Sequence, residues 1–186
     1  DRVVILNGRT ITISEDAKQV LSLQINEGGT LDLGSTSGHD FGSVSGQGLL
    51  RLSTNNFPAG DFTEFVSASG GTVEYYNPAN NFNFQQYNYN NLILNFDNTD
   101  RIARVTGDMS INGDLSIQSG IFQINNNTGG AARTIDIMGS VNINGSGRIQ
   151  LGTGDYNHQF IVKGDFINNG VVRFTNQGSP DYYNHT

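Results

Sequence analysis

The sequence predicts an all-β fold, a single-stranded parallel β-helix (β-solenoid) whose coils vary in length. The main observation is a short phrase that recurs along the chain: a small polar corner that ends in Gly, then a strand of alternating apolar and polar residues. The phrase stands at residues 27–33, 46–52, 69–75, 119–124, 145–151 and 168–174. A recurring unit of this kind is typical of repeat architectures, in which each unit stacks on the one before it.

The spacing of these phrases is the second observation. Gly29, Gly48 and Gly71 lie 19 and 23 residues apart, and Gly147 and Gly170 lie 23 residues apart. Each interval corresponds to roughly one coil of a β-helix. The loose period favours a β-helix with loops of variable length over a leucine-rich or hexapeptide repeat, whose spacing changes little.

Composition is the third observation. The 186 residues include 24 Gly and only 3 Pro, and Asn is about as frequent as Gly. Both residue types tolerate positive φ and serve at corners, so the chain is dense in turns. An immunoglobulin-like β-sandwich is the alternative fold, since it also has many short strands between turns. The β-helix is favoured because such short strands bury more surface between stacked coils than in a sandwich.

The strands follow the alternation of apolar residues. In the N-terminal part, the predicted strands are residues 3–6, 9–13, 21–25 and 30–33. Asn7 and Gly8 suit a tight turn between the first two strands. Residues 15–20 are expected to form a brief helical turn that caps the solenoid.

Residues 109–124 are predicted to form three short strands that are separated at Gly113 and Gly120. Side chains alternate between the two faces of a strand, so part of this segment must point into the core. Ser116 and Gln123 are expected to face outward. The residues expected to face inward are Leu115, Ile117, Phe122 and Ile124.

Length and charge restrict the function. Residues 1–186 are predicted to be one β-helical segment of a longer protein, because neither end resembles a natural terminus. A formal net charge of −7 without a basic cluster argues against nucleic-acid binding. No apolar run approaches the roughly 20 residues that span a bilayer, so no membrane insertion is expected. The sequence has no Cys and therefore no thiolate metal site, and no cofactor or metal is predicted.

The repeat resembles a known group of proteins. Residues 21–34, 41–52, 57–76, 89–94 and 111–117 are similar to the repeat regions of large Bacteroidota cell-surface proteins of the adhesin and gliding-motility-associated type. The shared motifs are structural glycines and core residues, so no functional residue is carried over. The resemblance implies export by the type IX secretion machinery and an extracellular location at the bacterial cell surface. The expected partners are surface glycans or other cell-surface components.

One distinctive segment, residues 75–91, interrupts the repeat with aromatic and Asn residues. Its candidate ligand-binding residues are Tyr75, Tyr76, Phe82, Phe84, Tyr87 and Tyr89. Aromatic rings beside amides are typical of carbohydrate sites, since a ring stacks on the apolar face of a sugar and amides bind its hydroxyls. The favoured alternative is that the rings cover the core, because their period-2 spacing fits a half-buried strand. The residues that this alternative turns inward are Phe82, Phe84, Tyr87 and Tyr89.

The sequence shows no catalytic motif. It contains no Ser-His-Asp arrangement, paired-His zinc motif, phosphate loop or calcium-binding repeat, and His39, His158 and His185 are far apart. Residues 155–158 are the best polar cluster, although they are more typical of a turn. Three carboxylates directly follow a glycine and are expected at corners: Asp108, Asp114 and Asp165.

The sequence therefore predicts a non-enzymatic structural or adhesive segment of a large secreted bacterial surface protein, acting as a stalk or a multivalent adhesin. One alternative is a carbohydrate-binding module that uses residues 75–91. A less favoured alternative is a polysaccharide-degrading β-helix enzyme, which would need two carboxyl groups brought together from successive coils.

Overall fold

The computed structural model describes residues 1–125, 131–152 and 156–174. In this part of the chain all regular structure is β, and the strands wind into a parallel β-helix of about seven turns. The predicted fold class is confirmed. The sandwich alternative is wrong, because the strand pairs of the described chain are parallel, whereas a sandwich is built from antiparallel pairs.

The strands lie on three faces of the coil. The first coils contain β1 (Arg2–Ile5), β2 (Thr10–Thr12), β3 (Ser22–Ile25), β4 (Thr30–Asp32), β5 (Asp40–Ser45) and β6 (Leu49–Leu52). The middle coils contain β7 (Ala59–Asp61), β8 (Thr72–Tyr76), β9 (Phe82–Asn83), β10 (Asn88–Tyr89), β11 (Asn91–Asn95) and β12 (Ile102–Val105). The last coils contain β13 (Met109–Ile111), β14 (Leu115–Ile124), β15 (Thr134–Ile137), β16 (Val141–Leu151), β17 (Gln159–Val162), β18 (Phe166–Asn168) and β19 (Val171–Arg173).

Each face is a stack of parallel strands. The first face consists of two separate sheets, β1-β3-β5-β7 and β10-β13-β15-β17. The second face is one continuous run, β2-β4-β6-β8-β11-β14-β16-β18. The third face begins at β9 and continues through β12, the C-terminal halves of β14 and β16, and β19. Paired residues on the second face are offset by 19 to 27 residues, so the coils are irregular in length, as predicted.

The recurring phrase marks two different corners of the coil. Its first three copies lead into β4, β6 and β8 on the second face. Its last three copies lie on the third face, where Gly120 of β14 pairs with Gly147 of β16 and Arg148 pairs with Val171 of β19. The same phrase serves both corners because each needs a residue without a side chain where successive coils approach closely.

The core runs along the axis of the helix as columns of apolar side chains. On the second face, register alignment stacks one inward residue of each coil on the next. The fully enclosed members of this column are Leu31, Leu50, Val73, Leu92, Leu115 and Val141. Burial of such columns is the main stabilising contribution, at roughly 25 cal/mol per Å² of apolar surface removed from water.

The N-terminal predictions hold in part. Asn7 and Gly8 form the predicted turn between β1 and β2, with Gly8 at φ 70°. The helical turn expected at residues 15–20 is wrong, because Ala17 has φ 56° and its N–H donates to the Ser37 carbonyl of the next coil. Gln19 forms a parallel bridge to Asp40 in the same way, so the backbone of this segment bonds to the neighbouring coil.

The segment 109–124 differs from its prediction in two respects. Gly113 separates β13 from β14 as expected, but β14 continues through Gly120 and bends there from the second face to the third, at φ 92°. The four residues expected to face inward are all buried: Leu115, Ile117, Phe122 and Ile124. Ser116 stays half-exposed, whereas Gln123 is only 7% exposed. Gln123 is covered because the Arg104 Nε of the preceding coil donates to its Oε1 over 3.0 Å.

The close approach at the third-face corner gives a stability prediction. A Cβ at Gly147 would lie 2.3 Å from the Ile117 carbonyl oxygen and 2.9 Å from its Cγ2, so we expect Gly147→Ala to lower the free energy of unfolding by roughly 1–3 kcal/mol or more. Gly145→Ala is the matched control, since its Cβ would meet nothing closer than the Asn169 carbonyl oxygen at 3.7 Å. Urea unfolding followed by circular dichroism measures both. Equal stability of the two variants would show that the coils are not in close contact there.

Candidate functional site

The aromatic and Asn-rich segment, residues 75–91, crosses all three faces of the helix. It leaves the second face at the end of β8, forms β9 on the third face and β10 on the first, and returns at the start of β11. Tyr75, Phe84 and Tyr89 are among the most deeply buried large side chains of the described chain, and Phe82 is only 7% exposed. These four rings therefore belong to the core.

The buried rings pack edge to face around Phe84. Its ring centroid lies 5.3 Å from that of Tyr75 and 6.2 Å from that of Tyr89, and Phe82 lies 5.5 Å away. Phe122 of the next coil joins the cluster at 5.9 Å from Phe84. Offset and edge contacts of this kind add about 0.5–1.5 kcal/mol per pair beyond burial. The cluster thus fills the interior of the helix at the level of β9, the first strand of the third face.

The hydroxyl groups of Tyr75 and Tyr89 form a buried pair. Their oxygens lie 3.2 Å apart, and the Tyr89 hydroxyl also donates to the Gln86 carbonyl over 2.9 Å. Burial raises the pKa of both Tyr75 and Tyr89, because a phenolate would be desolvated there. Both side chains stay neutral and structural at physiological pH.

Tyr76 and Tyr87, the other two candidates, are half-buried and already bonded. The Tyr76 hydroxyl donates to Asp32 Oδ1 over 2.8 Å, and the Arg51 guanidinium carbon lies 4.0 Å from the centre of its ring. The Tyr87 hydroxyl lies 2.8 Å from Thr106 Oγ1. The six candidates are therefore not brought together as one exposed stacking face, and that prediction is corrected for the four buried rings. The alternating rings cover the core instead.

The Asn residues of the same segment mostly fasten one coil to another. Asn77 and Asn81 accept backbone N–H groups of Asp97 and Ile102 at 2.7 and 2.9 Å. The Asn90 amide donates to the Gly70 carbonyl at 2.7 Å. Asn side chains substitute here for the backbone bonds that a corner interrupts.

An outward ladder of charges runs along the second face beside this segment. Arg51 Nε lies 2.6 Å from Glu74 Oε2, and Arg51 Nη1 lies 3.1 Å from Asp32 Oδ2, so one guanidinium joins the carboxylates of the coils before and after it. Asn95 extends the ladder by donating to Glu74 Oε1 at 3.0 Å. Burial alone would lower the pKa of Arg51, but its bonds to Glu74 and Asp32 outweigh that effect and raise it.

The carboxylates that follow a glycine also bond between coils. The Asp114 N–H donates to Asn91 Oδ1 of the preceding coil, and Asp114 Oδ1 accepts the Ser140 N–H of the following coil at 2.7 Å. Ser140 Oγ in turn accepts the Asp165 N–H at 3.1 Å. Asp108 Oδ1 accepts from Thr134 N–H at 2.9 Å. The expectation that these residues sit at corners is confirmed. The side chains of Asp108 and Asp114, and the backbone of Asp165, bond to neighbouring coils.

Two histidines occupy equivalent places, each directly before a strand of the first face. His39 Nδ1 accepts the Lys18 N–H at 3.1 Å, and His158 Nδ1 accepts the Arg133 N–H at 3.0 Å, in both cases from the preceding coil. Burial is the main cause that lowers the pKa of each imidazole. The predicted cluster at 155–158 is only partly visible, since Asp155 lies outside the described residues, as does His185.

A cleft of about 420 Å³ opens where the first face is interrupted. It lies between β7 and the segment that leads into β10, which belong to separate sheets. The residues that line it include Phe57, Asp61, Phe62, Thr63, Gln85, Gln86 and Asn88. Sequence reasoning missed most of this site. Its one sequence signal was the pair Gln85 and Gln86, two long amides at the centre of the aromatic segment.

No protein-family model, curated protein or solved structure matches this chain. The resemblance to Bacteroidota surface proteins therefore stays a prediction from the sequence. Across residues 1–125, 131–152 and 156–174, no group of three or more His, Asp or Glu side chains is placed to hold a metal ion. The same residues include no helix that is long and apolar enough to cross a membrane.

The buried tyrosine pair predicts unequal effects of removing its two hydroxyls. Tyr89→Phe leaves both the Gln86 carbonyl and the Tyr75 hydroxyl without their partner, so we expect it to cost about 1–3 kcal/mol of unfolding free energy. Tyr75→Phe should cost less, because the Tyr89 hydroxyl keeps its bond to Gln86. Chemical unfolding of the two variants measures the difference. A larger loss for Tyr75→Phe would contradict this account of the pair.

The histidine contacts predict a pH dependence of stability. His39 has a lower pKa in the folded chain than the value of about 6.5 expected when unfolded, so the unfolded chain binds more protons between the two values. We expect the unfolding free energy to be constant above about pH 6.5 and to fall as pH drops through that value. His39→Asn, which retains an acceptor for Lys18 N–H but does not titrate there, should reduce the slope and leave the part that His158 contributes. Identical slopes for the two proteins would exclude His39 as the cause.

Proposed function

We propose that this chain is a non-enzymatic structural segment, a stiff stalk within a large secreted bacterial surface protein that mediates adhesion. The observation that carries the proposal is that polar side chains of the chain bond to residues of neighbouring coils. Arg51 joins Asp32 and Glu74 of the neighbouring coils, and Asp114 joins Asn91 and Ser140. In both networks the polar groups that could otherwise serve chemistry bind one coil to the next.

The fold suits a load along its axis. Successive coils are joined by parallel backbone ladders on the faces of the helix, at a strand spacing of about 4.8 Å. Pulling the ends apart must break these ladders together with the side-chain bonds that reinforce them. A stack of this kind extends by simple addition of coils, since each coil contacts only its neighbours.

Adhesion adds a second requirement, which is many weak contacts on one filament. Repeated sites on a stiff support raise the effective concentration for each further contact. The negative net charge of −7 is compatible with an exposed, well-solvated filament. The extracellular location, the export by the type IX machinery and the cell-surface partners belong to this proposal and are supported by the sequence resemblance alone.

Single-molecule force spectroscopy tests the structural role. We expect the chain, tethered at its two ends, to resist extension and then to lengthen in steps of one coil. A coil of 19 to 27 residues releases roughly 65–90 Å at about 3.4 Å per residue. Gly147→Ala should lower the rupture force of the coils around it, with Gly145→Ala as the matched control. Extension without resistance, as for an unfolded chain, would overturn the stalk.

Antibody labelling tests the location. Antibodies against the chain should label intact, unpermeabilised cells of the organism that encodes it. Labelling that appears only after the cells are permeabilised would contradict a place at the cell surface, whatever the mechanical result.

A further inference from the structure

The cleft on the first face, which we name the sheet-break cleft, lies at the one interruption of an otherwise continuous stack in the described chain. β7 pairs with β5 on one side, and β10 pairs with β13 on the other, but β7 and β10 are in different sheets. The residues 62–71, a loop between β7 and β8, occupy the corner beside the break. Asn112 of a later coil fixes this loop by donating to the Val66 carbonyl at 2.7 Å.

One wall of the cleft presents backbone as well as side-chain groups. The carbonyls of Tyr87 and Tyr89 accept from Ser110 and Asn112 of the following coil, at 2.9 and 2.8 Å. Backbone groups alternate in direction along a strand, so the carbonyl of the intervening Asn88 points the other way, towards the cleft. The side chain of Asn88 is exposed there too.

Amides and a held carboxylate provide the polar lining. Gln85 and Asn88 are exposed, and Gln86 is fixed because its Oε1 accepts the Tyr87 N–H at 2.9 Å. Across the cleft, Asp61 Oδ1 accepts the Thr63 N–H at 3.0 Å, and the bonds from Thr63 lower the pKa of this carboxyl. The lining thus offers neutral donors, neutral acceptors and one ionised acceptor.

An anchored aromatic ring provides the apolar part. The half-buried ring of Phe57 packs edge-on against Phe62 at 4.7 Å and against Tyr89 at 6.4 Å between centroids. These contacts hold the ring in place, while its remaining surface lines the cleft. A rigid ring beside convergent amides is already organised before any ligand arrives.

We propose that the sheet-break cleft binds a neutral oligosaccharide. Its volume of about 420 Å³ is within the usual range of about 300–1,000 Å³ for small-ligand clefts. A sugar hydroxyl both donates and accepts, as Gln85 and Asn88 do, and the C–H face of a sugar fits the Phe57 ring. The lining contains Asp61 and no Lys, Arg or His, which disfavours anionic ligands.

A peptide strand is the less favoured occupant. Strand addition needs a regular edge with evenly spaced backbone groups. The β5–β7 ladder shifts register between Asp40 and Ser43, and Gly60 in the middle of β7 has φ 135°. This irregular edge does not continue a parallel ladder, so side-chain recognition dominates at this cleft.

The proposed site is distinct from the aromatic face predicted from the sequence and does not depend on the stalk function. It shares the segment 75–91, but uses its exposed amides in place of its buried rings. On a stalk, such a cleft would supply one of the weak contacts that a multivalent adhesin repeats. A chain that bears load but binds no sugar would overturn the cleft proposal alone.

The test is binding of the full 186-residue chain to a panel of short neutral oligosaccharides of glucose, galactose, mannose and N-acetylglucosamine, on an array and by NMR titration. We expect saturable binding that shifts backbone amides of residues 59–63 and 85–88. Gln85→Ala/Asn88→Ala should weaken it about ten-fold or more, since two hydrogen bonds are lost. Phe57→Leu, which retains apolar packing without the ring, should weaken it as well.

Asn80→Ala/Asn83→Ala is the matched control, because both residues are exposed amides of the same segment that do not line the cleft. It should bind as the unaltered chain does, and circular dichroism verifies that each variant is folded. Three results would overturn the proposal: no binding of any oligosaccharide in the panel, binding that the cleft variants leave unchanged, or saturable binding at these residues of an extended peptide probe in place of a sugar.

Discussion

The parallel register between successive coils is the constraint on which the rest of this structure depends. Each strand must lie directly above the corresponding strand of the preceding coil, so that backbone ladders and inward side chains stack together. A shift by one residue would turn every core side chain outward. The register also requires corners that approach within contact distance, which is why glycines such as Gly48 and Gly147 stand where a Cβ would meet the backbone of the coil below.

The same register determines what polar side chains do. Stacked coils place outward residues of neighbouring turns about one strand spacing apart, so complementary groups meet in columns. Asp32, Arg51 and Glu74 form such a column on the second face, and Arg104 and Gln123 do so on the third. Ligand binding is therefore expected where the stack is interrupted, because polar side chains there have no coil above or below to which they can bond. The break between β7 and β10 is such a place.

At the candidate site, residue composition alone does not distinguish a ligand-binding surface from part of the core. The aromatic and amide residues distinguish segment 75–91 from the rest of the sequence, but the same residue types suit both a sugar site and a core. Burial separates the two roles: Tyr75 and Tyr89 lie in the interior, whereas Gln85 and Asn88 reach solvent. The contribution of Phe57 and Asp61 could not be predicted, because they precede the amides that they face across the cleft by 24 to 31 residues.

The sequence by itself determined the architecture, since a glycine corner followed by a period-2 strand leaves a chain few ways to bury its apolar residues other than by stacking coils. It also placed Leu115, Ile117, Phe122 and Ile124 inside, because alternation along a strand is a local property. Only the tertiary structure decided which corner each phrase occupies, that Gln123 is covered by Arg104, and that residues 15–20 bond to the next coil without forming a helical turn. Those outcomes depend on contacts between residues about one coil apart, and irregular coil lengths hide that pairing from the linear sequence.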